Sequence, residues 1–170
     1  MLIFIIFVSS DYVYGILKLK KLIDNHQICD YKIIINSNKY HFDLDFDASW
    51  INIHDELKAI LFAIDYFNIQ DDDFIIKFNA NCCLKSVCPF MKAVIKNNND
   101  NQYDVISKYF FTDIIGIRCS YIKFIDKNNE VHMDLRWEKV KSLINEKKQL
   151  YLEYLGIDIS QTRNNPYTIY

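Results

Sequence analysis

Leu2 to Val8, LIFIIFV, is an unbroken apolar run. A strand with one face in water alternates apolar and polar residues; a strand covered on both faces need not. The run therefore reads as a central strand with helices packed on either side, which points to an α/β architecture. It is far shorter than the roughly 20 residues a helix needs to cross a bilayer. No basic segment precedes it, no small-residue cleavage site follows, and Asp11 comes almost at once, so it reads as a strand rather than a secretory leader.

The remaining chain can supply the covering helices. At 170 residues with 51% hydrophobic and 15% aromatic side chains, one domain with a substantial core is expected. In Trp50 to Phe67, the residues Ile53, Leu57, Ile60, Leu61, Ile64 and Phe67 fall on one side at helical spacing. Asn52 is the candidate cap, and Asp55 and Glu56 occupy the first turn, where negative charge is favoured. An acidic first turn is common on core helices, so alone it specifies packing and not chemistry.

Tyr12 to Leu19 (YVYGILKL) reads as a second strand, with Gly15 as a bulge or point of close approach. Tyr31 to Asn36 (YKIIIN) reads as a third. Three strands with short links predict an antiparallel meander. Phe74 to Phe78 (FIIKF) is a fourth strand, set parallel to the first by the strand, helix, strand order. Cys82 to Lys96 reads as a helix broken at Pro89, and Tyr103 to Ile115 as a helix ended by Gly116. Arg118 to Ile125 is the expected fifth strand, and Asp134 precedes a long helix from about Leu135 to Leu155.

Composition removes several classes of function. With Gly 3 and Pro 2 there is no Gly-rich phosphate loop and no Pro-rich linker. A net charge of -2 gives no global basic field for nucleic acid. Lys18, Lys20 and Lys21 form a short run; Lys139, Lys141, Lys147 and Lys148 alternate with Glu138 and Glu146, the pattern of a solvated helix face. Five cysteines, an odd number, favour reduced thiols in a cytoplasmic or nuclear setting. Cys82, Cys83 and Cys88 cluster without a second Cys or His pair at zinc spacing. His26, His41, His54 and His132 read as exposed or locally satisfied.

Four blocks in order carry a family likeness: IFVSSDYVYGIL around Ser10, Asp11, Tyr12 and Gly15; Trp50 followed by Glu56-Leu57-Lys58-Ala59 and Phe67; Phe74-Ile75-Ile76-Lys77-Phe78-Asn79; and Ile125-Asp126-Lys127-Asn128 leading to Met133-Asp134. In these the chain resembles the ribonuclease H domain of reverse transcriptases, of the plant pararetrovirus and LTR retrotransposon type. The resemblance implies a ribonuclease H-like fold. That fold is a mixed five-stranded sheet, three antiparallel strands then parallel ones, flanked by helices. It assigns residues 1–136 to that domain, 137–160 to a C-terminal helix packed on or extending it, and 161–170 to a loose tail.

Such enzymes cleave the RNA strand of an RNA–DNA hybrid with two Mg²⁺ ions, which demand hard oxygen ligands. The resemblance implies four carboxylates at one spot. Carried over singly, the first-strand position is Val8, the helix position Glu56, the fourth-strand position Asn79 and the last Asp134. Valine offers no ligand and asparagine one neutral oxygen, so formal site charge drops from about -4 to about -2, and cation binding weakens with it. Asp11 stands three residues past Val8 as a conceivable substitute, and Asp47-Ala48-Ser49 spells the family's first motif in the wrong place.

The expectation is therefore an inactive ribonuclease H-like domain, a scaffold or binding module needing no cofactor. Glu56 and Asp134 remain as remnant carboxylates, each also suited to capping a helix. The alternatives are a weak Mg²⁺- or Mn²⁺-dependent ribonuclease H acting on RNA–DNA hybrids, and a module that binds a protein partner or itself through the C-terminal helix. No membrane association is expected.

Overall fold

The computed structural model describes residues 1–8, 13–37, 39, 41–80, 84–107, 114–123 and 133–151, with 84–88 and 133–135 described at the backbone only. The elements in order are β1 (Leu2–Val8), α1 (Val13–Asn25), β2 (Tyr31–Ser37), β3 (Ser49–Ile51), α2 (Glu56–Tyr66), β4 (Phe74–Asn79), α3 (Leu84–Asp100), β5 (Val105–Ser107), β6 (Ile114–Arg118), α4 (Cys119–Ile122), α5 (Met133–Ser142), a 3-10 turn (Glu146–Lys148) and β7 (Gln149–Tyr151). They form an α/β fold on one mixed sheet, in the order β3-β2-β1-β4-β6-β5-β7.

β1 is central and covered on both sides, as its apolar run requires. It runs parallel to β2 on one side and to β4 on the other. Leu2, Phe4, Ile6 and Val8 face a core shared with Ile16, Leu19 and Ile23 of α1 and Phe90, Met91 and Val94 of α3. Ile3 and Ile5 face a second core holding Leu57, Ile60 and Ile64 of α2, Cys119 and Ile122 of α4, and Trp137 and Val140 of α5. The result is three layers, helices on each face of the sheet.

The antiparallel meander does not form. Val13 to Leu19 is not a strand: it opens α1, the crossover that a parallel β1–β2 pair needs, and Tyr12 lies outside the described residues. Its β-branched and aromatic residues favour a strand locally, but Ile16, Leu19 and Ile23 recur at helical spacing and all three are buried. Gly15 is a point of close approach, as expected. A Cβ there would lie 1.9 Å from the Ala80 carbonyl oxygen, so only glycine lets α1 rest on the end of β4.

Other boundaries also move. Ser49–Ile51 is β3, parallel to β2, so the helix begins at Glu56 and not near Trp50. Residues 105–107 and 114–118 are strands flanking each other antiparallel, replacing the expected helix over Tyr103 to Ile115. The expected fifth strand from Arg118 is only the end of β6, after which the chain turns into α4. α3 runs through Pro89 without a break. The long C-terminal helix stops at Ser142; Gln149–Tyr151 joins the sheet beside β5. Trp137 and Val140 are buried in the second core, so α5 packs on the sheet. The sheet thus has seven strands among the described residues, not five. The tail and Asp11 lie outside them.

Candidate functional site

Because β1 to β4 are parallel, their carboxyl ends, Val8, Ser37, Ile51 and Asn79, share one edge of the sheet. The chain leaves β1 toward β2 and returns from α2 to β4 on the other side. The strand order therefore reverses between β1 and β4, which is where open α/β sheets form ligand crevices. α1 and α3 both begin at this edge, each directly following one of the two strands.

Asn36 shapes the approach to α2. Its side chain donates from Nδ2 to the Ile53 carbonyl at 2.9 Å and accepts at Oδ1 from the Ile53 amide at 3.0 Å. It thus acts as a surrogate peptide that extends the β2–β3 ladder past Ile51. Asp55 then caps α2, accepting at Oδ1 from the Lys58 amide at 2.9 Å. Capping therefore belongs to Asp55, not to Asn52 or Glu56.

Glu56 is left for another task. Its Oε2 pairs with the Lys77 ammonium at 3.0 Å, and its Oε1 accepts from the Trp137 indole N–H at 3.3 Å. Lys77 is 1% exposed and Glu56 19%. A lysine in the middle of a buried strand requires such an anion, because an uncompensated charge there is costly. Arg136 reaches Asp55 at 3.8 Å, so two adjacent acidic residues at the head of α2 tie it to β4 and α5.

On the α2 and α5 side of the sheet, the register aligns Ile5, Lys77, Ile115, Ser107 and Tyr151 in one transverse row. Lys141 of α5, 2% exposed, pairs with Glu138 at 2.7 Å and lies 5.9 Å from the Tyr151 ring centroid. Ser107 Oγ and Arg136 Nε are buried with no hydrogen-bond partner among the described residues.

The residues singled out from the sequence are gathered only in part. β1 and β4 end side by side, and the head of α2 meets α5 through Glu56 and Trp137. Val8 and Asn79, however, do not face one spot. Asn79 is registered with Phe7, and alternation turns Val8 to the other face, where it packs beside Ile6, Phe78 and Ala80. Asp134 is the second residue of α5; its side chain lies outside the described part. No group of three His, Cys, Asp or Glu side chains suited to a metal occurs among the described residues. Asp43, Asp45 and Asp47 are exposed on an extended segment whose Phe42, Leu44, Phe46 and Ala48 pack on the first core. His41 stacks on Trp50 at 4.4 Å, and His54 is exposed. His132 lies outside the described residues.

Lys77, Trp137, Arg136 and Asn36 were not singled out from the sequence. Only Lys77 left a signal: it is the one cation inside FIIKF.

Neither a family model nor a curated protein matches this chain. No helix among the described residues is long and apolar enough to cross a membrane.

Proposed function

We propose that this chain is a nucleotide-sugar-binding domain of glycosyltransferase type, taking its ligand outside the carboxyl ends of β1 and β4. The observation that carries this is the strand order β3-β2-β1-β4-β6-β5-β7, with β6 alone running against the rest. That order, with its one reversed strand in fifth place, resembles the sheet of glycosyltransferases that use nucleoside-diphosphate sugars. The step from sheet to ligand is a fold-level analogy. It gains support from the order reversal between β1 and β4 and from two helices that begin there. Helix amino termini favour anionic groups such as a diphosphate.

Calorimetric titration of the chain with UDP, GDP, UDP-glucose and GDP-mannose, with and without Mn²⁺, tests this. Saturable binding of at least one, with Kd at or below about 1 mM, is the expected outcome. A flat response to all of them sinks the proposal.

The inactive ribonuclease H-like domain is the second reading. What favours it is the parallel β1–β4 pair ending at Val8 and Asn79, beside the linked heads of α2 and α5. What weighs against it is β1, β2 and β3 running parallel. In this reading Glu56 serves Lys77 and Trp137 rather than Mg²⁺. Incubation with an RNA–DNA hybrid in Mg²⁺ or Mn²⁺ is expected to give no cleavage that Glu56→Ala abolishes. Glu56-dependent cutting would instead establish the weakly active nuclease, with the hybrid as its partner.

A further inference from the structure

α2 turns Lys58, Phe62, Asp65 and Tyr66 to solvent. Spaced i, i+4, i+7 and i+8, they form one stripe along the helix. Phe62 is 40% and Tyr66 69% exposed. Their rings stack with centroids 5.2 Å apart and planes inclined by 14°, and Phe67 meets Tyr66 edge-on at 4.9 Å. Lys32 of β2 sits 4.1 Å over the Phe67 ring. Rings already held in one arrangement lose little freedom when covered, and neighbouring exposed aromatics of this kind mark interaction surfaces.

The charges on the stripe oppose their own helix. Lys58 is the third residue of α2, and Asp65 is the last but one. A helix favours anions at its amino end and cations at its carboxyl end. Both side chains are therefore placed the wrong way round for an isolated chain. Neither forms an ion pair among the described residues. Asp65 acts at longer range on Lys123, which is itself paired with Asp71, and on the Cys119 thiol.

Both placements make sense if the helix lies against an antiparallel copy of itself. We propose that α2 is the contact between two copies of this chain, related by a two-fold axis that passes beside Phe62. Lys58 of each protomer then meets Asp65 and Tyr66 of the other, and the two Phe62 rings pack at the axis. A two-fold contact must be complementary to itself. The order cation, ring, anion, ring satisfies this when reversed, since each cation is brought to an anion and a ring. The helix dipoles also oppose one another.

One helix pair buries less than the roughly 1,600 Å² of a standard interface, so the dimer is expected to be weak, half-formed at about 10–1,000 µM chain. Sedimentation velocity on the full chain, from about 5 µM to about 1 mM at low salt so that screening is small, is expected to show a rising weight-average coefficient. Phe62→Asp should hold the chain monomeric. Lys58→Glu and Asp65→Lys should each weaken association at least about tenfold, and the Lys58→Glu/Asp65→Lys pair should restore it to within about threefold. Each single swap suits the helix dipole better than the native residue, so lost association is not lost folding; circular dichroism checks this. A monomer throughout the range overturns the proposal. So does association that the double swap fails to restore.

Discussion

Glu56 and Lys77 illustrate how one ion pair gives asymmetric consequences. Lys77 is almost wholly buried, while Glu56 keeps some contact with water. Replacing Glu56 by Ala takes the carboxylate from a buried ammonium and should cost about 3–5 kcal/mol. Lys77→Met leaves a carboxylate that water still reaches and that Trp137 still contacts, so its cost should be well below that. Urea unfolding of the two variants measures the difference, and equal losses would refute this account of the pair. Gly15 is the other residue with a sharp expectation. A methyl group there meets backbone, the Ala80 carbonyl at 1.9 Å, and not the end of a flexible side chain. Gly15→Ala should therefore cost about 3 kcal/mol, the top of the usual range for overpacking. Gly116 is less tight, with the Phe74 ring at 2.5 Å, and a ring can move more readily than the Ala80 backbone, whose amide is held by the Phe7 carbonyl at 2.9 Å.

At the scale of elements, α2 depends on how it starts. Asp55 holds the Lys58 amide, and Asn36 holds both backbone groups of Ile53 just before it. Asp55→Ala should lower stability by about 1 kcal/mol, the usual worth of a helix cap. It also removes the acceptor facing Arg136, a long contact of 3.8 Å that adds little. Thermal melts followed at 222 nm test this; no change would mean that a neighbouring group takes over the cap. Asn97, in the last turn of α3, works similarly. It accepts from the Tyr103 amide at 2.6 Å and donates to the Tyr103 carbonyl at 2.8 Å, fixing the entry into β5. Two asparagines thus stand in for missing peptide partners where short strands begin or end. Their side chains supply a donor and an acceptor in the spacing that the backbone lacks.

For the whole molecule, the pH range of stability carries a signature of the second core. Cys119 is buried there at the start of α4, with Asp71, Asp73 and Asp65 nearby. Burial foremost, then those carboxylates, push its thiol up to about 11 from 9.0, against the pull of Lys123. The folded chain keeps the proton where the unfolded chain releases it. The neutral thiol's contribution is therefore complete below pH 9 and is lost as pH rises toward about 11. The urea midpoint of the native chain should fall more steeply across that window than that of Cys119→Ala. Parallel slopes would show that the thiol ionises equally in both states. The exposed Cys29 should also react with thiol reagents well before Cys119.

The sequence alone determined that this is an α/β chain with a doubly covered central strand, because unbroken apolar runs have only one place to go. It determined β2 and β4 as short apolar-rich runs, the body of α2 from its helical spacing, and the parallel pairing of β1 with β4. It did not determine α1. There a strand-like composition competed with a helical spacing, and the space between two parallel strands decided for the helix. Nor did it determine β5, β6 or β7, short segments whose apolar residues fit either period. Those strands exist because neighbouring strands supply their hydrogen-bond partners. The candidate site was legible only as Glu56. That its carboxylate answers a buried lysine on β4 and a tryptophan on α5 is decided by tertiary structure, since charge burial and side-chain direction depend on which distant segments the sheet brings into register.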